Sequence, residues 1–293
     1  MFDDPEAVLG FVRSGSPYRL QHVVDRTYAG GEYTPWFKAY WAAAGKALLP
    51  AAEGLLGEPR LREAVAQHFG AEIVRPQSLM VNLLGPMPAS AVHVDMPHFR
   101  GAPARTHAPA LLYAMGSSGL FERWAIPIAS ALIWFHRGLG GAFEYWPEGP
   151  ERASRLEGPP LWNEGLLADN ERLLHRTQAI GPPEASLPPG LLRDSAQLHA
   201  TGDGGWAIRD GGAELWRYPA VQIRISILWK ALALRDADEA KRIDSGCDDL
   251  DPQRIETLFA QHAREHGITL PPTQDPRTDA VWIRAASRLP PRK

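Results

Sequence analysis

From residue 76 to 232 the chain is cut into short apolar runs by glycine and proline, and that texture limits the folds open to it. Short runs bounded by turn residues build the strands of a β-sandwich or barrel, whereas a helical bundle needs longer amphipathic stripes. The expected strands are 78–84, 91–95, 110–115, 127–136, 142–146, 172–180 and 221–230. The 27 Gly and 27 Pro supply the turns, and the 10 Trp supply aromatic walls. Residues 1–75 read as a helical flank. Trp36 to Leu49 carries an Ala-rich run, and Pro59 to Phe69 places Leu61, Ala64, Val65 and Phe69 on one face before the stop at Gly70. Residues 233–293 read as a helical extension, in which Asp251, Pro252 and Gly267 frame a helix and Leu289 to Lys293 fray. The expectation is one structural domain, mainly β with flanking helices (α+β), whose 76–232 core carries a Pro/Gly-rich insertion at 181–219. Asp210-Gly211-Gly212 marks a hairpin there, and an insertion of this kind reads as a lid or binding loop.

Bulk properties exclude several classes. A net charge of -3 offers no attraction for nucleic acid or an anionic membrane. The longest apolar stretch, Ala125 to Phe135, is too short to span a bilayer and contains Pro127. The acidic start Asp3-Asp4-Pro5-Glu6 does not resemble a signal peptide. Cys247 is the sole cysteine, which rules out an internal disulfide and a thiolate-rich metal site. The compartment expected is a reducing cytoplasm, and the partner expected is a small-molecule substrate. Oligomeric state is left open.

Chemistry enters at His93-Val94-Asp95. An imidazole and a carboxylate two residues apart on extended backbone point to the same side. They are two of the three ligands of a 2-His-1-carboxylate site, a geometry that serves non-haem Fe(II). The third ligand has to arrive from elsewhere in the chain, and His136, His175 and His199 are the candidates, with His175 following the turn-like Asp169-Asn170-Glu171. A second constellation lies in Val221 to Lys230, where alternation puts Arg224 and Ser226 on one face and Ile223, Ile225 and Ile227 on the other. An inward arginine is costly unless it meets an anion, and a guanidinium fork beside a hydroxyl suits a carboxylate.

The order His93-x-Asp95, distal His175, Arg224-x-Ser226 resembles the Fe(II)/2-oxoglutarate-dependent dioxygenase family, over roughly residues 78 to 232. That resemblance implies a double-stranded β-helix core, a jelly roll related to the cupins. It further implies that His93, Asp95 and His175 hold Fe(II), and that 2-oxoglutarate chelates the metal with its C5 carboxylate on Arg224 and Ser226. Asn82 would meet the C1 carboxylate or the substrate, and O2 would be the second co-substrate. The implied outcome is hydroxylation of an unactivated C–H with release of succinate and CO2. Asp95 argues against the halogenating branch, which leaves that position empty. Here 48 residues separate His175 from Arg224, against about ten in many members, and the insertion accounts for the difference.

Other readings compete. A cupin-like metalloenzyme would use the same three ligands without 2-oxoglutarate, and a non-catalytic β-sandwich would use none. His262-Ala263-Arg264-Glu265-His266 resembles an inverted zinc-protease motif, but no His or Glu follows it, so it reads as a solvated helical face rather than a zinc hydrolase site. Trp134, Tyr145, Trp146, Trp206 and Trp216 are the expected aromatic walls, and Arg100 reads as a solvated side chain or a contact to an anionic substrate group.

Overall fold

The computed structural model describes residues 2–22, 35–188 and 191–292. Thirteen strands lie among them. In chain order they are β1 (Tyr18–His22), β2 (Pro35–Ala43), β3 (Lys46–Ala47), β4 (Ile73–Leu84), β5 (Ile128–His136), β6 (Phe143–Trp146) and β7 (Arg155–Glu157). After these come β8 (Leu161–Ala168), β9 (Leu174–Thr177), β10 (Gln197–Ala200), β11 (Trp206–Asp210), β12 (Ala213–Tyr218) and β13 (Arg224–Leu234). The helices are α1 (Pro5–Ser14), α2 (Ala52–Leu56), α3 (Pro59–Phe69), α4 (Pro109–Ser118), α5 (Ala237–Ser245), α6 (Pro252–Glu265) and α7 (Ala280–Ala286). The architecture is mainly β with helices at its flanks, as expected.

A large sheet runs β12-β11-β10-β1-β2-β4-β13-β5-β8, with β3 paired to β2, and a small one runs β7-β6-β9. The two sheets meet through Trp134 of β5, Leu161 of β8, and Phe143 and Tyr145 of β6, which form one buried cluster. A two-layer packing of antiparallel strands fits the jelly-roll expectation.

The chain divides into two compact units that interleave along the sequence. One comprises 1–70, 74–94 and 129–232 and holds most of the sheet; the other comprises 71–73, 95–128 and 233–293 and is largely helical. This is a different partition from the sequential flank, core and extension expected, because 95–128 packs with the C-terminal helices. Leu111 and Met115 of α4, Phe121, Ile255 and Phe259 of α6, and Trp282 of α7 share that core. Burying a side chain such as Phe259 contributes about 1.5–3 kcal/mol.

Several expected elements differ. Trp36–Leu49 is not helical: Pro35–Ala43 is a strand, with Phe37 opposite Leu83 and Lys38 opposite Asn82 of β4. Its aromatic residues favour a pleated surface, and pairing with an apolar neighbour overrides the helix propensity of the alanines. Segment 110–115 is helix α4, not a strand. Pro109 sits at its start and left-handed Gly119 at its end; Pro109, Ala110, Tyr113 and Ser117 form its exposed stripe, but Ala110 to Met115 are apolar on every face, so the sequence carries no periodicity to distinguish it from a strand. The 181–219 insertion is not a lid. Its strands β10 to β12 extend the large sheet beyond β1, and β11 and β12 form the expected hairpin. Arg13 of α1 pins this extension by donating to the Gly204 and Thr201 carbonyls at 2.7 and 2.6 Å. The described part of the C-terminal tail is docked rather than frayed, with Leu289 buried and Arg292 N–H donating to the Ser118 carbonyl at 2.8 Å. Lys293 lies outside the described residues. Helices α3 and α6 match their expected bounds, with Leu61, Val65, Ile255 and Phe259 buried.

The helical unit contains one close backbone approach that can be tested. Gly101 has φ +79°, and a Cβ placed there would run into the backbone of Leu250. Gly149 has φ +86° but open space around it. Gly101→Ala should therefore destabilise by roughly 2–5 kcal/mol, combining backbone strain with overpacking, and Gly149→Ala by only about 1 kcal/mol. Urea unfolding of the two variants reads the difference, and equal losses would contradict the close approach.

Candidate metal centre

The prolines of Gly85-Pro86-Met87-Pro88 and Pro97 cannot donate to a ladder, so residues 85–97 pair with their neighbour only at intervals. The expected strand 91–95 is accordingly reduced to one isolated bridge, His93 to His175. Its hydrogen bonds are reciprocal: His93 N–H donates to the His175 carbonyl at 3.0 Å, and His175 N–H to the His93 carbonyl at 2.8 Å. Upstream, Ser90 N–H donates to Thr177 at 2.9 Å, and Met87 and Ile180 exchange bonds of 3.0 and 2.9 Å. Directly opposed residues of an antiparallel pair project side chains to the same face. The two imidazole rings lie 4.5 Å apart, centroid to centroid.

Asp95 joins them from two positions along the same segment. One ligand atom from each of His93, Asp95 and His175 lies within 4.8 Å of the other two, and this is the one such group of His, Cys, Asp or Glu among the described residues. Both histidines are oriented in the same way. His93 Nδ1 is 2.9 Å from the Ala91 carbonyl, and His175 Nδ1 is 2.8 Å from the Leu173 carbonyl. A carbonyl can only accept, so each Nδ1 carries a proton, and Nε2 is the nitrogen each ring has to offer a metal. This backbone tie is the usual way a protein sets the tautomer of a metal-binding imidazole.

The opposite face of β9 holds the strand in place. Glu144 of β6 accepts from Ser154 Oγ at 2.6 Å, from Arg176 Nε at 2.6 Å and from the Gln178 amide. Burial pushes the Glu144 carboxyl up, and these donors more than cancel it, leaving the group below its ordinary value. Arg176 thus serves Glu144 and points away from the face of His175. That face is continued by Phe143, whose ring is 5.2 Å from His175 and 5.3 Å from Trp134.

Beyond Trp134 lies Arg224, with Cζ 5.9 Å from the centre of the indole. It is 2% exposed, so the strand face carrying Arg224 and Ser226 is buried rather than solvated. Arg224 Nε donates to the Gly141 carbonyl at 2.7 Å, while Nη2 has no hydrogen-bond partner. Burial draws the guanidinium down to about 9, which still leaves it charged at neutral pH. A buried cation with an unsatisfied donor is a strong call for an anion. Ser226 is also buried, as is Asn82, whose Oδ1 accepts from Trp36 Nε1 at 2.8 Å.

The other candidates go elsewhere. His199 is half-buried on β10 and His136 lies beside Arg224; neither joins the cluster. His262 is not on a solvated face: it is 4% exposed, and its Nε2 lies 2.7 Å from the Pro290 carbonyl. That nitrogen must donate, so His262 anchors the C-terminal tail, and the inverted motif forms no ligand cluster among the described residues. Arg100 is not solvated: it is buried and its guanidinium is held by Asp248 and the Arg123 carbonyl. A concavity of about 530 Å³ in the helical unit, lined in part by Arg100, His107 and Arg277, holds no such ligand group. Sequence reasoning missed the Glu144 network and the nearness of His136 to Arg224, because both depend on pairings that no local pattern announces.

No family model matches the chain, and no curated protein matches it. Among solved structures it is similar to an oxidoreductase of the 2OG-Fe(II) oxygenase family from Burkholderia pseudomallei, with 14% identity, 79% of this chain and 82% of that chain covered, and a TM-score of 0.44. It is also similar to a Pseudomonas putida prolyl-4-hydroxylase, with 14% identity, coverage of 79% and 85%, and a TM-score of 0.39. A third is HygX from Streptomyces hygroscopicus with nickel, 2-oxoglutarate and hygromycin B bound, with 12% identity, coverage of 80% and 84%, and a TM-score of 0.35. Likeness at this level carries no weight about chemistry, which rests on the residues of the site.

Proposed function

We propose that this chain is a non-haem Fe(II)- and 2-oxoglutarate-dependent oxygenase that hydroxylates an unactivated C–H of a small or medium-sized organic molecule. The observation that carries the reading is the cluster of His93, Asp95 and His175, with both Nδ1 atoms tied to backbone carbonyls. Two imidazole nitrogens and one carboxylate suit Fe(II), and no thiolate is at hand to favour a softer metal. The unpartnered Nη2 of Arg224 adds a second, independent fit, since the co-substrate brings a distal carboxylate.

When bound, iron, 2-oxoglutarate and O2 would supply the oxidising chemistry, placing one oxygen atom in succinate and the other in the hydroxylated product, with loss of CO2. The residues do the rest. His93 and His175 present fixed lone pairs, and Asp95 adds one negative charge, which offsets part of the charge of a divalent ion. Arg224 pairs with the distal carboxylate, and Ser226 adds a hydroxyl hydrogen bond beside it. Asn82 has its amide NH2 to offer the other end of the co-substrate or the substrate. Phe143 and Trp134 line the span from the ligand histidines to Arg224 and keep water from it.

Two variants and one assay test this. Asp95→Ala should weaken Fe(II) or Co(II) binding by more than about tenfold, since a lost ligand exceeds the cost of losing an outer partner; unchanged metal affinity would defeat every metal reading. Arg224→Gln should weaken 2-oxoglutarate by about 1.5–3 kcal/mol, roughly 10- to 100-fold, and leave metal affinity alone. Equal losses of metal and co-substrate would remove Arg224 from the role given it. Succinate release against a panel of metabolites identifies the substrate class. Metal binding without any succinate or 2-oxoglutarate affinity would favour the cupin-like alternative.

A further inference from the structure

His136 closes β5 with 2% of its surface exposed, and neither ring nitrogen has a hydrogen-bond partner. Backbone carbonyls of Leu139, Gly140 and Ile223 come near enough to favour the protonated ring, but none reaches the distance and angle of a formed hydrogen bond. Its position is tied to Arg224 by one glycine. A Cβ at Gly141 would lie 3.0 Å from Arg224 Cδ and 3.2 Å from both Cδ2 and Nε2 of His136, so the two side chains share that wall. A Cβ at Gly138 would come within 2.7 Å of His136 Cε1 and collide with the Val221 carbonyl. The turn 138–141 can close around this pair only because it lacks side chains where the rings and guanidinium approach.

The energetic argument is one of satisfaction. A buried donor or acceptor left without a partner is destabilising, and here three nitrogens of two neighbouring side chains are in that condition. Burial, reinforced by the Arg224 charge, holds His136 down to about 4, so at neutral pH it is a neutral ring with one N–H to donate. A single positive charge with a neutral donor next to it matches one carboxylate, whose two oxygens take one bond from each.

We propose that His136 is a positioning residue for the co-substrate. Its ring N–H and Arg224 Nη2 each take one oxygen of the distal carboxylate, and the pair selects a five-carbon 2-oxo diacid over 2-oxo acids that lack that group. The inference rests on the 2-oxoglutarate reading above and gives its anion site a second, neutral side.

Titration calorimetry on the anaerobic Co(II)-loaded chain tests it, with 2-oxoglutarate and pyruvate as probes. His136→Phe should weaken 2-oxoglutarate about tenfold and leave pyruvate and Co(II) affinities unchanged. His136→Gln, which keeps an N–H donor, should recover most of that loss. The ring nitrogens of His136 in the ¹⁵N-labelled wild type should shift with 2-oxoglutarate and stay put with pyruvate, a readout that survives even if the Phe variant fails to fold. Equal weakening of both acids, or no shift of the ring, would overturn the proposal by reducing His136 to a packing residue. A wild type that binds Co(II) but neither acid would overturn the parent reading as well, and is recognised because the unmodified chain is what fails.

Discussion

One pair of backbone hydrogen bonds, between His93 and His175, is what the rest of the site depends on. The two residues stand 82 positions apart in sequence. Opposing them across an antiparallel bridge brings two imidazoles to one face, and residue alternation then brings Asp95 to the same face. The prolines that prevent a regular ladder on either side concentrate the pairing at this point. On the far side of β9 the Glu144 carboxylate gathers Ser154, Arg176 and Gln178, so the strand carrying His175 is held to β6 without using the face on which His93, Asp95 and His175 cluster. The site is therefore built from ordinary sheet contacts, with each of the two histidines oriented by a backbone carbonyl two residues before it.

The second feature is a buried charge without its counter-charge. Arg224 sits inside the sheet packing with one guanidinium nitrogen unsatisfied, next to a histidine with both nitrogens unsatisfied. Unsatisfied buried donors of this kind are destabilising, and hydrogen bonds to an anion would relieve that cost. Ring contacts run from His175 through Phe143 to Trp134, and Arg224 lies 5.9 Å from the centre of the Trp134 indole.

Much of this was legible from spacing alone. His93 with Asp95 and Arg224 with Ser226 are i, i+2 pairs, and the two-residue period of extended chain is a local rule that holds whatever the fold. The β-rich texture of 76–232 was legible for the same reason. What failed were assignments that depend on partners distant in sequence. Trp36–Leu49 reads as helix until β4 is laid beside it; 110–115 reads as strand because its run of apolar residues is short and shows no polar face, although Ala110 and Tyr113 are exposed in the helix it forms. In the insertion the hairpin of β11 and β12 was legible at Asp210-Gly211-Gly212, but β10 and the continuation of the large sheet beyond β1 were not. His136 carried one usable signal, a histidine at the end of an apolar strand followed by Gly138, Gly140 and Gly141, but its missing hydrogen bonds emerge only in three dimensions.

The most direct measurement is an anaerobic titration of 2-oxoglutarate into the Fe(II)-loaded chain, followed by visible absorption. Chelation of ferrous iron by a 2-oxo acid at His93, Asp95 and His175 predicts a charge-transfer band that saturates at about one equivalent, consistent with a single ligand cluster. Iron that stays bound while saturating 2-oxoglutarate produces no band would contradict the account.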